Sequence, residues 1–265
     1  MSVDILTIGN EILLGLIEDT NSSYLCRVVR GIGGRVRHVS IVLDEIDAIA
    51  ADVKRSLAGG AQLIFTCGGL GPTDDDLTLA GIAAALGRKL TLDATAREKV
   101  ERRYRELASN GYVSHSDMTV ERLKMATLPE GAQSIENPVG AAPAVVIRVD
   151  NTHIVSLPGV PAELKAIVEG PLQDLLTGLF GRGGYREREI TVGCGDESEL
   201  AAVIREVSRL HPNAYIKSRA SHFGNDVRFR IVICASAAST EEADRTIEKV
   251  SRDLRSSLQA KGIPE

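Results

Sequence analysis

The sequence predicts an α/β protein with a mostly parallel sheet, followed by a small α+β unit. Three observations lead there. Short apolar runs alternate with helix-period segments through the first third of the chain, glycine pairs close those helices, and a glycine-rich stretch near residue 181 precedes a tail with a different element pattern.

Val3–Ile8 is a short, largely apolar run, as a strand buried on both faces requires. Thr20 or Asn21 stands where a cap would open a helix in which Leu25, Val28, Val29 and Ile32 recur at helical spacing, and Gly33-Gly34 ends it. Val36–Val42 reads as the second strand. Asp44 occupies the N-cap position of a second helix, with Ile46, Ile49, Val53 and Leu57 on one face, and Gly59-Gly60 closes it. Gln62–Thr66 is the third strand. This order implies parallel pairing with right-handed crossovers.

Beyond the loop at 67–77, Thr78–Leu86 reads as a helix ended by Gly87, and Ala94–Ser109 as a longer, charged one. Segment 110–144 shows no decisive period. Val145–Val149 and His153–Leu157 form a hairpin around Asp150-Asn151. Pro161 or Ala162 then opens a helix running towards Leu179. Gly181-Arg-Gly-Gly184 reads as a linker, which gives domains 1–181 and 182–265. The tail reads as strand Glu189–Val192, helix Ser198–Leu210, strands Ala214–Ser218 and Val227–Ala235, and helix Glu241–Leu258.

Of the 265 residues, 43% are hydrophobic and 25% charged, ordinary proportions for a chain that buries a core. No stretch approaches the ~18 apolar residues of a membrane span. The opening residues lack the basic and small-residue features of a secretion signal, so the cytoplasm is the expected compartment and no membrane partner is expected. The net charge is −5, with the acidic excess falling on residues 1–181. Aromatics make up 3% and tryptophan is absent. Nucleic acid is therefore not an expected partner, since it calls for cations and stacking platforms. Cys26, Cys67, Cys194 and Cys234 form no CxxC pair, which argues against a zinc site or a disulfide framework; Cys67 abuts the most interesting loop. Histidines 38, 115, 153, 211 and 222 show no metal-site spacing. No Gly-x-Ser-x-Gly elbow and no Gly-Lys-Ser/Thr phosphate loop is found.

The strongest local signal is Thr66-Cys-Gly-Gly-Leu-Gly-Pro-Thr-Asp-Asp-Asp-Leu-Thr78, at the C-terminal end of the third strand. Open α/β sheets bind ligands at that edge. Gly68, Gly69 and Gly71 let backbone N–H groups approach an anion, Thr73 adds a hydroxyl, and the next helix N-terminus adds partial positive charge. Asp74, Asp75 and Asp76 would repel a phosphate, and a Mg²⁺-type cation resolves the conflict by bridging carboxylate and phosphate oxygens. Helix capping alone would explain one aspartate. Gly9-Asn-Glu-Ile-Leu-Leu-Gly15 follows the first strand at the same edge, so Asn10 and Glu11 are candidate ligand groups. Asp44 also follows a strand there. Asn137-Pro-Val-Gly-Ala-Ala-Pro143 and Leu157-Pro-Gly-Val-Pro161 read as rigid, glycine-hinged loops or as ordinary turns.

Taken together, Ile8-Gly-Asn-Glu-Ile-Leu-Leu-Gly15, Asp19-Thr-Asn21, Gly68-Gly-Leu-Gly-Pro-Thr73 with Asp75-Asp76-Leu-Thr78, Leu128-Pro-Glu-Gly-Ala132, Asn137-Pro-Val-Gly140 and Leu157-Pro-Gly-Val-Pro-Ala-Glu163 resemble the CinA family. The resemblance spans about residues 3–180 and implies a MoaB/Mog-like three-layer domain. Residues 182–265 resemble the family's small KH-like domain, without a Gly-x-x-Gly clamp for RNA. The family's C-terminal amidohydrolase domain has no room, so nicotinamide mononucleotide deamidation is expected to be absent. The resemblance further implies a homodimer and a pyrophosphatase, dependent on Mg, Mn or Co, acting on ADP-ribose or a related nucleotide. It puts Asp76, Asp44 and Asp75 at the catalytic centre, with Asp76 and Asp44 on the metal. It puts Gly9, Asn10, Glu11, Asn21, Gly68, Gly69, Leu70, Gly71, Pro72, Thr73, Thr78, Lys124, Gly140, Pro158 and Gly159 around the substrate.

Four positions depart from the family pattern: Asn10 stands where aspartate is frequent, Met125 where glutamine is, and Ala141 and Ala144 where threonine and glycine are. Two further readings follow: adenylyl transfer to a pterin, and a module that binds a nucleotide or pterin without turnover.

Overall fold

A computed structural model describes residues 1–181, 183–194, 196–220 and 228–265. The chain divides into two compact units: Met1–Val29 with Arg35–Leu179, and Arg30–Gly34 with Phe180–Glu265.

The first unit starts with β1 (Ser2–Ile8), the short helix α1 (Asn10–Leu13) and α2 (Thr20–Gly31). β2 (Arg35–Val42), α3 (Ile46–Ala58), β3 (Leu63–Cys67) and α4 (Thr78–Leu86) follow. Then come β4 (Leu90–Leu92), α5 (Ala94–Ser109), α6 (Val120–Lys124), β5 (Thr127–Pro129) and β6 (Gln133–Ile135). The hairpin β7 (Ala144–Val149) and β8 (Thr152–Leu157) and the helices α7 (Pro161–Glu169) and α8 (Gln173–Phe180) complete it.

Six strands form one sheet in the order β2-β1-β3-β8-β7-β6. The pairs β1–β2, β1–β3 and β3–β8 are parallel, and β7 and β6 join antiparallel. The chain leaves β1 to one side for β2 and returns on the other side for β3. That reversal opens a crevice at the C-terminal ends of β1 and β3, the place where sheets of this kind hold ligands. Register fixes what meets there: Thr7 lies opposite Cys67, and Cys67 opposite Leu157, so the loops after β1, β3 and β8 start side by side.

Alternation along the strands sorts the core. Leu6, Ile8, Ile64, Ile147 and Ile154 bury against Ile49 and Val53 of α3 and Ile82 of α4. Gly81 is obligatory at that contact, because a Cβ there would stand 2.5 Å from Ile49. On the opposite face, Thr7 reaches Ser22 of α2 at 2.8 Å. A second cluster joins Leu70, Ala96, Val100, Met125, Leu128 and Val145, and so ties the unassigned segment 110–144 to α5 and the sheet.

Several local expectations are corrected. α2 is capped by neither Thr20 nor Asn21; the Asp19 carboxylate accepts from the Ser22 N–H at 2.9 Å and from the Thr7 hydroxyl at 3.0 Å. Asp44 does not cap α3. Glu45 holds that position without a side-chain bond, and Asp44 is engaged elsewhere. The helix expected from 161 to 179 is two helices, because Pro171 has no N–H to continue the ladder and disfavours helical backbone at Gly170.

The second unit holds β9 (Gly184–Gly193), α9 (Glu197–Leu210), β10 (Ala214–Ala220), β11 (Arg228–Ala237) and α10 (Thr240–Ala260). Its sheet is antiparallel in the order β10-β11-β9. Ile190, Val192, Phe229, Ile231 and Ile233 pack on Leu200, Val203, Val207, Ile247, Val250 and Leu254 of the two helices. Asp196 caps α9 through the Ser198 N–H, and Ser239 caps α10 through the Glu242 N–H. Arg182 of the expected linker, His222 and the expected strand start at Val227 lie outside the described residues. No described helix is long and apolar enough to cross a membrane.

Candidate functional site

A cleft of about 790 Å³ opens at the crevice between the ends of β1 and β3. Its walls come from the loops after β1, β2, β3 and β8, with Tyr104 of α5, Met125 and Ala141-Ala142 on one side. Of the residues expected to act, Glu11, Asn21, Asp44, Gly68, Gly69, Leu70, Gly71, Pro72, Asp75, Asp76, Pro158 and Gly159 line it.

The β3 loop folds around Asp76. Its Oδ2 accepts from the Thr73 N–H at 2.8 Å and the Thr73 hydroxyl at 2.6 Å. A Cβ on Gly71 would stand 2.6 Å from the same oxygen, so this glycine is what lets the loop close on its carboxylate. The three aspartates therefore do not cap α4, whose N-cap is Leu77 without a side-chain bond. The Gly68 N–H donates to the Leu157 carbonyl at 3.0 Å and is withdrawn from ligand duty. The amides of Gly69, Leu70 and Gly71 have no intramolecular acceptor among the described residues, which leaves these three donors unused within the chain.

The ends of β1 and β2 are joined by a reciprocal pair. Asp44 Oδ2 accepts from the Asn10 N–H at 2.7 Å, and Asn10 Oδ1 accepts from the Asp44 N–H at 3.3 Å. Burial pushes the Asp44 carboxyl above the ordinary aspartate range, and the nearby charges of Glu11, Asp75 and Asp76 push the same way against the Asn10 bond. Asp75 is drawn down by the Thr73 hydroxyl.

Six expected ligand residues do not line the cleft, and each makes a contact within the chain. Thr78 is fully buried, and its hydroxyl donates to the Gly68 carbonyl at 2.7 Å. Asn10 acts through Asp44. Gly9 donates to the Val42 carbonyl at 3.2 Å. Thr73 is the clamp of Asp76. Gly140 makes room for the Glu163 carboxylate, which a Cβ would meet at 2.0 Å. Lys124 donates to the Thr73 carbonyl and lines a separate, mostly apolar cavity of about 410 Å³ that shares Gly69–Pro72 with the cleft.

Sequence reasoning missed three groups. Glu163 lines the cleft and accepts from Asn137 Nδ2 at 2.8 Å; Asn137 in turn holds the Val139 and Gly140 amides, so the Asn-Pro-Val-Gly turn is fastened to α7. The signal was present in the Leu-Pro-Gly-Val-Pro-Ala-Glu run. Tyr104 carries the guanidinium of Arg122 at 3.8 Å on its ring and lies inside a helix that reads only as charged. Asp19, read as a neighbour of the cap, is the cap and lines the cleft as well. Cys67 is fully buried, and burial pushes its thiol far up, which removes it as a nucleophile.

The electrostatic result is one-sided. Seven carboxylates line the cleft, those of Glu11, Glu18, Asp19, Asp44, Asp75, Asp76 and Glu163, and no lysine or arginine does among the described residues. All these donors are oxygens, the set that suits a hard divalent cation. Among the described residues, no group of three or more aspartate, glutamate, histidine or cysteine side chains is arranged to hold a metal ion.

A glycine loop and an acidic cleft at the switch point of a parallel sheet define an α/β domain built to hold a small molecule. Residues 4–177 match the family model described as a probable molybdopterin binding domain, and the chain belongs to that family. A protein of Aeropyrum pernix is 41% identical over 256 residues, covering 94% of this chain and 92% of the relative. One of Thermococcus kodakarensis is 37% identical over 256 residues, covering 96% and 98%. The crystal structure of CinA from Thermoplasma acidophilum, a protein described as of unknown function, is similar with a TM-score of 0.60 and 32% identity, covering 66% of this chain and 99% of that one.

Proposed function

We propose that this protein is a divalent-metal-dependent pyrophosphatase that cleaves ADP-ribose or a related nucleotide diphosphate to AMP and a sugar phosphate. One observation carries the reading: among the described residues, seven carboxylates and no lysine or arginine line a cleft that also takes in the glycine loop Gly68–Gly71. Amides turned to an anion and carboxylates turned to the same space are compatible only when cations stand between them.

Asp44 and Asp76 would hold the cation, with the rest of its oxygen donors supplied from outside the chain. When bound, a Mg²⁺-type ion neutralises the pyrophosphate and lowers the pKa of a coordinated water. The chain's own part is positional. The amides of Gly69–Gly71 face the charge that develops on the phosphoryl oxygens. One of the cleft carboxylates would accept the proton of that water. Tyr104, Met125 and Ala141 offer an apolar wall to a base.

Adenylyl transfer to a pterin would use the same loop and cation. The two are separated by product analysis. ADP-ribose with Mg²⁺, Mn²⁺ or Co²⁺ gives AMP and ribose 5-phosphate on the present reading. Turnover of ATP only in the presence of a pterin, with ADP-ribose left intact, refutes it.

A further inference from the structure

We propose that the cavity beside Lys124 is a second ligand chamber, that it takes the base of a second nucleoside, and that the substrate is therefore a dinucleoside diphosphate. This rests on the reading that the cleft cleaves a diphosphate, and it names which one. The cavity has a volume of about 410 Å³, within the usual range of small-molecule sites. Leu77, Leu79 and Ala80 at the start of α4, Leu90 of β4, and Val120 and Leu123 of α6 give it apolar sides. Leu90 and Val120 are 41% and 79% exposed, so part of this lining is open to solvent. Asp74, Lys124 and Thr127 supply the few polar groups that orient a ligand in sites of this kind.

Continuity with the cleft selects the occupant. Gly69, Leu70, Gly71, Pro72 and Asp76 belong to both linings, so the glycine loop is a wall with a space on either side. The amides of Gly69, Leu70 and Gly71 are unspent within the chain among the described residues. A diphosphate seated on them carries two ester-linked arms, and the cleft accommodates one. The other arm has the second space open to it. In ADP-ribose that arm ends in a bare sugar, whose hydroxyls gain nothing from apolar sides. A flat heteroaromatic base gains by burying its faces there. Charge agrees. Lys124 is the one lysine or arginine on either lining among the described residues, and its ammonium donates to the Thr73 carbonyl of the loop. A cation therefore stands at the loop on the side of the second arm.

The reaction stays a hydrolysis and needs no further reactant. Water adds to one phosphorus, the P–O–P bond breaks, and the bridging oxygen leaves with the bonding pair on the other phosphate. Two nucleoside monophosphates are released, and the protons of the water pass to solvent and to the phosphate oxygens.

The test compares kcat/KM on the full chain with Mg²⁺ for ADP-ribose, diadenosine diphosphate and NAD⁺. The last two differ from the first by a second base on the terminal ribose. The better dinucleotide is expected to exceed ADP-ribose ~10-fold or more, because a remote base contributes binding energy to the transition state. Ala80→Trp fills the chamber, and Val120→Trp closes it from a position too exposed to endanger the fold. Each is expected to abolish the preference and leave ADP-ribose turnover unchanged. Equal kcat/KM for all three in the unaltered protein, or a preference that survives in both variants, overturns the proposal. So does a variant that shifts sedimentation equilibrium and leaves the preference intact, which would show a second copy of the chain in the cavity. If nothing is cleaved, the pyrophosphatase reading fails alone. Calorimetric affinities of the same nucleotides then decide the chamber, and equal affinity for ADP-ribose and both dinucleotides overturns it.

Discussion

The Asp44 carboxylate and the Asn10 backbone hold each other across the ends of β2 and β1, at 2.7 Å and 3.3 Å. The pair turns a residue suited to capping a helix into part of the cleft wall, and it fixes the carboxylate where Glu11, Asp75 and Asp76 repel it. Such repulsion costs stability, and on the proposed reading a bound cation would relieve it, a trade usual at functional sites.

Asp44→Asn tests that cost. Asparagine keeps an acceptor for the Asn10 amide and removes the charge. A carboxyl raised in the folded state binds its proton more tightly there than in the unfolded chain, so its ionisation is destabilising above the unfolded value. The variant should melt higher than the parent at neutral pH. The advantage should shrink as pH falls through the raised folded value and vanish below the unfolded value of ~3.9. Thermal melts across that range decide it; a variant less stable at pH 7 than at pH 3, relative to the parent, contradicts the account.

Asp76 has two duties that two substitutions separate. Asp76→Asn keeps an acceptor for the Thr73 amide but removes the charge, so turnover should fall ~10²–10³-fold with little change in melting. Asp76→Ala should lose the same activity and also ~1 kcal/mol of stability, because the Thr73 N–H loses its acceptor. Full turnover in Asp76→Asn removes Asp76 from the site.

Gly68 should tolerate no side chain. It has φ of 98°, and a Cβ there would stand 2.3 Å from the Ile8 carbonyl, which is backbone and cannot swing aside. Gly68→Ala should cost ~2–4 kcal/mol. Gly15 is the control, with φ of 72° and nothing within 4 Å of the added carbon. Gly15→Ala should cost only the backbone strain of ~1–2 kcal/mol. Equal losses in urea titrations would discount the clash.

Stability of the sheet edge rests partly on Arg37. Its guanidinium meets both oxygens of Asp4 at 3.1 Å, and the Asp4 side chain is 2% exposed. Arg37→Ala strands that carboxylate in the core and should cost ~3–5 kcal/mol, whereas replacing both partners by apolar residues should recover most of the loss. A loss below ~1 kcal/mol for the single change would show the pair to be dispensable.

Periodicity located the parallel strands and their crossover helices because burial on both faces leaves an apolar run that composition cannot hide, as in Val3–Ile8 and in Gln62–Thr66, which the structure shifts by one residue to Leu63–Cys67. It failed where structure is held by side chains distant in sequence. Nothing local distinguishes Asp44 as a cap from Asp44 tied to Asn10, 34 residues away. Segment 110–144 is folded by Met125 and Leu128 packing on α5 and the sheet, so it has no period of its own. Thr78 reads as a polar residue beside a phosphate loop; only the fold shows its hydroxyl spent on Gly68. The glycine loop and its aspartates were legible because their chemistry is contiguous, whereas Glu163 and Asp19 reach the cleft from α7 and the start of α2.

On the proposed reading, cations mediate between the acidic cleft and an anionic ligand. Calorimetric titration of ADP-ribose into the protein, once with Mg²⁺ and once with EDTA, tests it most directly. Saturable binding with Mg²⁺ and none with EDTA is the predicted result. Equal affinity in both, or binding only in EDTA, would contradict the account.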